Sequence, residues 1–264
     1  MKQRRPTIFS RSLPEIRLIR RASRIASLAR QTRRLAGRKI AALTRRGKYL
    51  VFDLDNGDLL IIHLRMSGSL LVGADASSPP SYTRAVLHLD GGNNIFFRDP
   101  RKFGRMRLVE DAATVVGKLG PEPLAAGFTT AILAGLLSGR KAPIKAVLLD
   151  QNVIAGIGNM YADEALFAAS LHPLKPAGSL KPDEVKRLHR SIRRVLTSAI
   201  GAKGASVSSY FRPGGQKGQA HFSFKVAHRR GEKCPVCATL LERLVIRGRD
   251  SYLCPRCQPS ISTD

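Results

Sequence analysis

The stretch CPVCATLLERLVIRGRDSYLCPRC, residues 234–257, holds all four cysteines of the chain. They form two CxxC knuckles, Cys234-Pro-Val-Cys237 and Cys254-Pro-Arg-Cys257, with sixteen residues between Cys237 and Cys254. That spacing closes a tetrahedral four-thiolate zinc site. A redox dithiol needs only one such knuckle, and a disulfide framework scatters its cysteines along the chain. Between the knuckles, residues 240–246 and 251–253 read as a strand pair, so the metal would hold a hairpin. With all four positions filled by protein the zinc is structural and leaves no place for a reactive water. The hairpin tip carries Arg247, Gly248 and Arg249. Two arginines beside a glycine on a rigid turn suit phosphate contact; the alternative is plain solvated charge.

Working outward, the whole chain has the charge of a polyanion binder. Its 264 residues carry 45 Lys and Arg against 19 Asp and Glu, a formal charge of +26 with a pI near 11.1. Nucleic acid is the expected partner. A membrane surface is the other candidate, yet no apolar run approaches the ~20 residues a spanning helix needs, and the basic residues are spread over the whole length. The 43% hydrophobic content can fill one large or two modest cores. The first fifty residues hold Glu15 as their only acid, a composition shared by organelle transit peptides and DNA-facing helices. They contain no apolar core of a secretory signal, and cytosolic or nucleoid residence is expected.

The periodicities divide the chain. Leu13, Ile16, Ile19, Ile25, Leu28 and Leu35 among many arginines predict an amphipathic helix over residues 13–36. From Lys48 the period changes to two. Residues 49–54 and 59–64 flank Asp55-Asn56-Gly57, and residues 86–89 and 95–97 flank Asp90-Gly91-Gly92-Asn93, two hairpins in a mostly β region. Gly120, Pro121 and Pro123 then break regular structure, and helices follow. The clearest starts near Ser179 and ends at Gly201, with Asp183 and Glu184 in its first turn. Residues 201–221, rich in Gly, Ser, Lys and Gln, read as a mobile loop or a linker. The expected domains are residues 1–124, 125–221 and 222–264, an α+β multidomain chain.

Two further motifs carry chemistry. In residues 150–159, DQNVIAGIGN, Gly156 and Gly158 allow close backbone approach, and Asn159 is an expected N-cap of the helix after it. The exposed amides would favour a phosphate; an ordinary tight turn is the alternative. In Asp99-Pro100-Arg101-Lys102-Phe103-Gly104, basic residues flank an aromatic that can wedge between bases, and Met66 in Leu64-Arg65-Met66-Ser67-Gly68 could be a second wedge. Read alone, Met66 and Phe103 are expected in the core.

Together with Arg45-Arg46-Gly47-Lys48-Tyr49-Leu50 and residues 119–124, these motifs resemble, in the same order, the formamidopyrimidine-DNA glycosylase and endonuclease VIII family over residues 35–259. The resemblance implies an N-terminal β-sandwich with a flanking helix, a helix-two-turn-helix domain, a zinc-finger hairpin with one zinc, and damaged double-stranded DNA bound in the cleft between by a monomer. It implies that Lys48 contacts the phosphates and sugar of the damaged nucleotide, that Asn159 and Arg249 clamp phosphates, and that Met66, Arg101 and Phe103 fill the hole left by the flipped base. The arginine and phenylalanine together point to the branch acting on oxidised purines.

That family attacks the sugar with an N-terminal proline assisted by a neighbouring glutamate. Here Leu13-Pro14-Glu15-Ile16 resembles the later part of its opening motif, which puts Arg11 at the nucleophile position and Ser12 at the acid–base position. Pro14 cannot substitute, because its nitrogen is an amide. Lys2 should keep Met1 in place, so no terminal proline is expected. The segment from Glu15 to Lys48 is shorter than the family's, so a shortened first domain is expected, and Ser81-Tyr82-Thr83-Arg84 stands where a DNA-contacting histidine is usual. Three readings follow. The chain is a glycosylase and abasic-site lyase, with Lys48 the replacement amine if nearby cations lower its basicity; or an inactive binder of damaged or abasic DNA; or a product that does not fold stably.

Overall fold

The computed structural model describes residues 12–13, 15–18, 32–205 and 212–260. Two compact units emerge, the first from Met1–Lys118 with Ala205–Gly218, the second from Leu119–Gly204 with Gln219–Asp264.

The first unit is a sandwich of two antiparallel sheets. Its strands are β1 (Ser12–Leu13), β2 (Glu15–Leu18), β3 (Arg38–Arg46), β4 (Tyr49–Leu54), β5 (Leu59–His63), β6 (Ser69–Gly73), β7 (Thr83–His88), β8 (Asn94–Arg98) and β9 (Arg105–Val109), with short helices α1 (Thr32–Leu35) and α2 (Ala113–Val116). One sheet has the order β1-β3-β4-β5-β9, the other β2-β7-β8-β6. The pairs Phe52/Leu54, Leu60/Ile62 and Met106/Leu108 from the first meet Ala85/Leu87 and Ile95/Phe97 from the second in one buried cluster. Each pair is spaced by two, the period that sends alternate side chains to one face. The expected hairpins are therefore real, with Gly57 at φ +85° completing the turn between β4 and β5.

The helix expected over residues 13–36 is a correction. Residues 12–13 pair with Arg38 and Lys39, and Glu15–Leu18 pair with Ala85–His88. Pro14 drives Leu13 out of the α region, and two sheet edges stand ready to accept the flanking backbone. Only Thr32–Leu35 is helical; residues 19–31 lie outside the described residues.

In the second unit, α3 (Thr130–Leu137), α4 (Ile144–Leu149), α5 (Asn159–Ala168) and α6 (Pro182–Gly201) surround a core that includes Phe128, Leu133, Leu148, Leu166, Leu188 and Ile192. α6 starts three residues later than the sequence suggests. Pro182 takes the first helical position, where its missing N–H costs nothing, and the Glu184 carboxylate accepts the Lys181 N–H at 2.8 Å. α4 and α5 are joined by turns in which Val153 and Ile154 both donate to the Asp150 carbonyl. The Gly120 region packs on those turns, with Gly120 N–H donating to Gln151 O at 2.9 Å. A Cβ at Gly120 would stand 2.3 Å from Val153 O, which explains the glycine. The hairpin β10 (Glu242–Ile246) and β11 (Arg249–Leu253) completes the unit.

Of the loop expected over residues 201–221, residues 206–211 lie outside the described residues; Pro213 O accepts the Val72 N–H at 2.8 Å within the first unit. Among the described residues no helix is long and apolar enough to cross a membrane.

Candidate metal centre and nucleic-acid interface

The four cysteine sulfurs lie within 4.8 Å of one another. The separations are 3.4 Å for Cys237–Cys254, 3.5 Å for Cys237–Cys257 and 3.9 Å for Cys234–Cys257. A zinc tetrahedron with ~2.3 Å bonds has sulfur–sulfur edges of about 3.8 Å, whereas a disulfide needs ~2.05 Å. The donor set fits one structural Zn²⁺ and no disulfide. Burial pushes the Cys254 and Cys257 thiols up, and Thr239 draws Cys237 down to about 6; a bound dication would hold all four as thiolates. The amides of Val236 and Cys257 point at the sulfurs of Cys234 and Cys254. Gln258, which the sequence did not single out, is buried and ties the second knuckle to the helical core. It accepts from Cys254 N–H at 3.0 Å and donates to Leu171 O at 2.8 Å.

The metal fixes one end of the hairpin; a buried polar cluster fixes the other. Lys145 on α4 and Asp163 on α5 are 0% and 1% exposed, with Nζ and Oδ1 2.6 Å apart. Lys145 Nζ also donates to the Asp250 carbonyl at 2.7 Å, and Asn159 Nδ2 donates to the same carbonyl at 2.8 Å. Asp250 follows Arg249, so the tip's backbone is pinned beside α5. Burial pushes Asp163 up to about 7 and Lys145 down from its ordinary value. The N-cap expectation for Asn159 is a correction: Gly158 caps α5, and Asn159 is its first residue. Its amide reaches across instead to the carbonyl of Asp250, 91 residues on. Arg249 faces Arg140 and Arg247 around a pocket of about 250 Å³. Arg247 at φ +47° and Gly248 at φ +72° form the tight turn that carries the arginines.

In the first unit, Lys48 sits on the two-residue turn between β3 and β4, exposed, beside Gly47 at φ +56°. Near it His63, whose Nδ1 accepts the Arg65 N–H at 2.9 Å, carries its proton on Nε2. Burial, then the charges of Arg65, Lys48 and Arg105, pushes His63 down to about 4. Its ring stands edge-on to Tyr49, and both border a pocket of about 110 Å³ with Arg105 and Arg107. His63 was not singled out in the sequence; a histidine ending a strand two residues before Arg65 was the available signal.

Met66 is 66% exposed, and Phe103 is half-buried with the Arg101 guanidinium 4.9 Å from its ring centroid. The core placement read from hydrophobicity alone is therefore wrong for Met66, and Phe103 is only partly covered. Both sit on loops tied together by Asp99, itself 1% exposed. Its carboxylate accepts from Ser67 Oγ at 2.6 Å and from Gly104 N–H at 2.7 Å. A Cβ at Gly104 would meet Phe97 Cζ at 2.3 Å, so only glycine lets the loop close. Arg84, in the segment where the resemblance implies a DNA-contacting histidine, is buried instead. Ser12 lies in β1 opposite Lys39, while Arg11 is outside the described residues.

A model for the N-terminal domain of formamidopyrimidine-DNA glycosylase matches residues 3–106, one for the H2TH domain of the same enzyme residues 119–210, and one for the zinc finger found in FPG and IleRS residues 231–259. The formamidopyrimidine-DNA glycosylase of Chloroflexus aurantiacus is 47% identical over 226 residues, covering 85% of this chain and 81% of its own. That of Cereibacter sphaeroides is 40% identical over 267 residues, 96% of this chain and 94% of its own. The crystal structure of MutM (Fpg) from Thermus thermophilus superposes with a TM-score of 0.87 at 39% identity, covering 96% of this chain and 94% of that one. Lactococcus lactis Fpg bound to DNA containing an abasic site gives 0.89 at 29% identity over the same shares.

Proposed function

The chain belongs to the formamidopyrimidine-DNA glycosylase family, and from that membership we propose that it acts in base-excision repair, removing oxidised purines from duplex DNA and cutting the strand at the resulting abasic site. The Lactococcus relative has been solved with DNA carrying a formamidopyrimidine deoxyguanosine lesion as well as with an abasic site, which supports the same substrate class here. The observation that carries the reading is the pair of Asp99-tied loops that present Met66 to solvent beside Arg101 and Phe103. Exposing a methionine while burying the loop's polar anchors makes sense for residues that replace an extruded base.

In this reading Asn159 and Arg249 hold phosphates, Lys48 contacts the phosphates and sugar of the damaged nucleotide, and the zinc keeps the Arg249 hairpin rigid. The charge of +26 would place the protein with the nucleoid. Lys48 is our candidate for the attacking amine. Its nitrogen would bond to C1′ and lose a proton, while the glycosidic electron pair leaves with the base, which takes a proton up. The C1′–O4′ bond would then open, its electron pair and a proton going to O4′, to leave a Schiff base between C1′ and Lys48, from which the strand would break by β- and δ-elimination.

Borohydride trapping on a duplex with an abasic site, with wild type and Lys48→Ala side by side, tests this. A covalent adduct lost in the variant assigns the amine to Lys48; one that persists places it elsewhere and keeps the enzyme reading. Tight, salt-sensitive binding with no adduct replaces the enzyme by a lesion binder. Binding indifferent to salt would remove every nucleic-acid reading.

A further inference from the structure

Arg84 is the extra residue of a β-bulge. Thr83 pairs with Arg98 and Ala85 with Phe97, so β7 carries one more residue than β8 over this stretch. Such a bulge re-aims the additional side chain. Here it sends a guanidinium inward, 5% exposed, where Nε donates to Asp99 O at 2.9 Å and Nη2 to Pro100 O at 3.3 Å. The Asp99 N–H in turn donates to Tyr82 O at 3.0 Å, so Arg84 of β7, Tyr82 just before that strand and the loop after β8 are held together through three bonds. A buried cation is stable only where its donors are met. The partners it has are the two carbonyls immediately before Arg101, and the Arg101 N–H itself rests on Ser67 Oγ at 3.3 Å.

We propose that Arg84 is a positioning residue for lesion recognition. By gripping the carbonyls of Asp99 and Pro100 from the bulge, it sets the direction in which Arg101 and Phe103 leave the sheet. The preference for a gapped stack over intact duplex therefore depends on a side chain that stays inside the protein. The Asp99 carboxylate fixes the loop's far end at Gly104, and Arg84 fixes its near end; both ends are needed to aim a loop of this length. This rests on the DNA-inserting role given above to Arg101 and Phe103.

The test uses a duplex in which an abasic-site analogue faces 2-aminopurine, whose fluorescence rises when its neighbours are unstacked. Wild type, Arg84→Ala and Arg84→Lys are compared for that rise and for affinity to this duplex and to an undamaged one. Arg84→Ala should lose roughly tenfold in preference for the damaged duplex, the worth of about one hydrogen bond to a charged group. Its affinity for undamaged duplex should not change, and the fluorescence rise should shrink. Arg84→Lys keeps the charge but reaches only one carbonyl, and should fall between. A full fluorescence rise and unchanged preference in Arg84→Ala overturns the proposal. If Arg84→Ala loses its far-UV circular dichroism, Arg84→Lys decides: wild-type behaviour overturns the proposal, and selective loss of preference supports it. Wild type without any preference for the damaged duplex refutes the proposed function itself, before the variants are compared.

Discussion

Lys145→Met should destabilise the second unit in a way that depends on pH. The substitution keeps the aliphatic volume and removes the ammonium from a site where Lys145 and Asp163 are 0% and 1% exposed. Breaking a buried pair costs ~3–5 kcal/mol when the surviving charge is stranded. Asp163 has an escape, because burial already raises it to about 7 even with Lys145 pulling it down, and without Lys145 it must rise further. An acid whose folded pKa exceeds its unfolded value loses stability as pH rises between the two values, since the native state keeps a proton the unfolded chain has released. In wild type that window closes near pH 7; in the variant it extends above. Below pH 7 the variant should therefore lose only hydrogen bonds to uncharged partners, Asp250 O and the protonated Asp163, ~1–2 kcal/mol together. Above it the deficit should grow by up to about 1.4 kcal/mol per unit, reaching ~3–4 kcal/mol at pH 8.5.

Urea unfolding followed by far-UV circular dichroism, at constant ionic strength and with zinc present, measures this. Adding Asp163→Asn to the variant removes the ionising group and should abolish the growth above pH 7. A deficit for Lys145→Met that is equal at pH 6 and pH 8.5, or growth that survives Asp163→Asn, would refute the reasoning.

Four other outcomes are expected. A chelator should release about one zinc per chain and take DNA binding with it, read by metal analysis and by anisotropy of a labelled duplex. Gly104→Ala should lower stability by ~1–3 kcal/mol, because its Cβ would press on the Phe97 ring at 2.3 Å; an unchanged melting temperature would contradict the packing. Met66→Ala should leave the melting temperature nearly unchanged, as befits a side chain 66% exposed, yet weaken binding to abasic DNA. His63, held at about 4 against an ordinary 6.5, should make stability fall as pH drops through 6.5, since the unfolded chain binds the proton first. A phosphate beside it would raise its pKa again, so DNA affinity should grow between pH 7.5 and 5.5 by more in wild type than in His63→Gln.

What was legible in the sequence is what neighbours in sequence decide. The period-two pairs Phe52/Leu54 and Leu60/Ile62, the Asp55-Asn56-Gly57 turn and the two cysteine knuckles each state their structure within a few residues. The order of the motifs then gave the architecture. The opening segment was misread because an apolar pattern of near-helical spacing is compatible with strands once Pro14 blocks the helix and two sheet edges, β3 and β7, compete for the backbone. The Asn159 cap was misread for a related reason. Its amide had a local partner to choose, its own helix, and took a distant one, Asp250 O, 91 residues on.

The residues that hold the candidate site share a property that no local pattern announces. Lys145 serves a carbonyl 105 residues away, Asp99 a hydroxyl 32 residues back, Arg84 two carbonyls across a bulge. Each is a buried charged side chain whose partners include backbone or hydroxyl groups with no charge of their own to mark them, so neither composition nor charge pairing in the sequence reveals the bond. Such anchoring suits a protein that must place arginines against an outside anion. In the proposed reading, an acidic side chain used to steady Arg249 would compete with the phosphate for the guanidinium, whereas a carbonyl held by Lys145 and Asn159 fixes the backbone beside it and leaves its charge for the DNA.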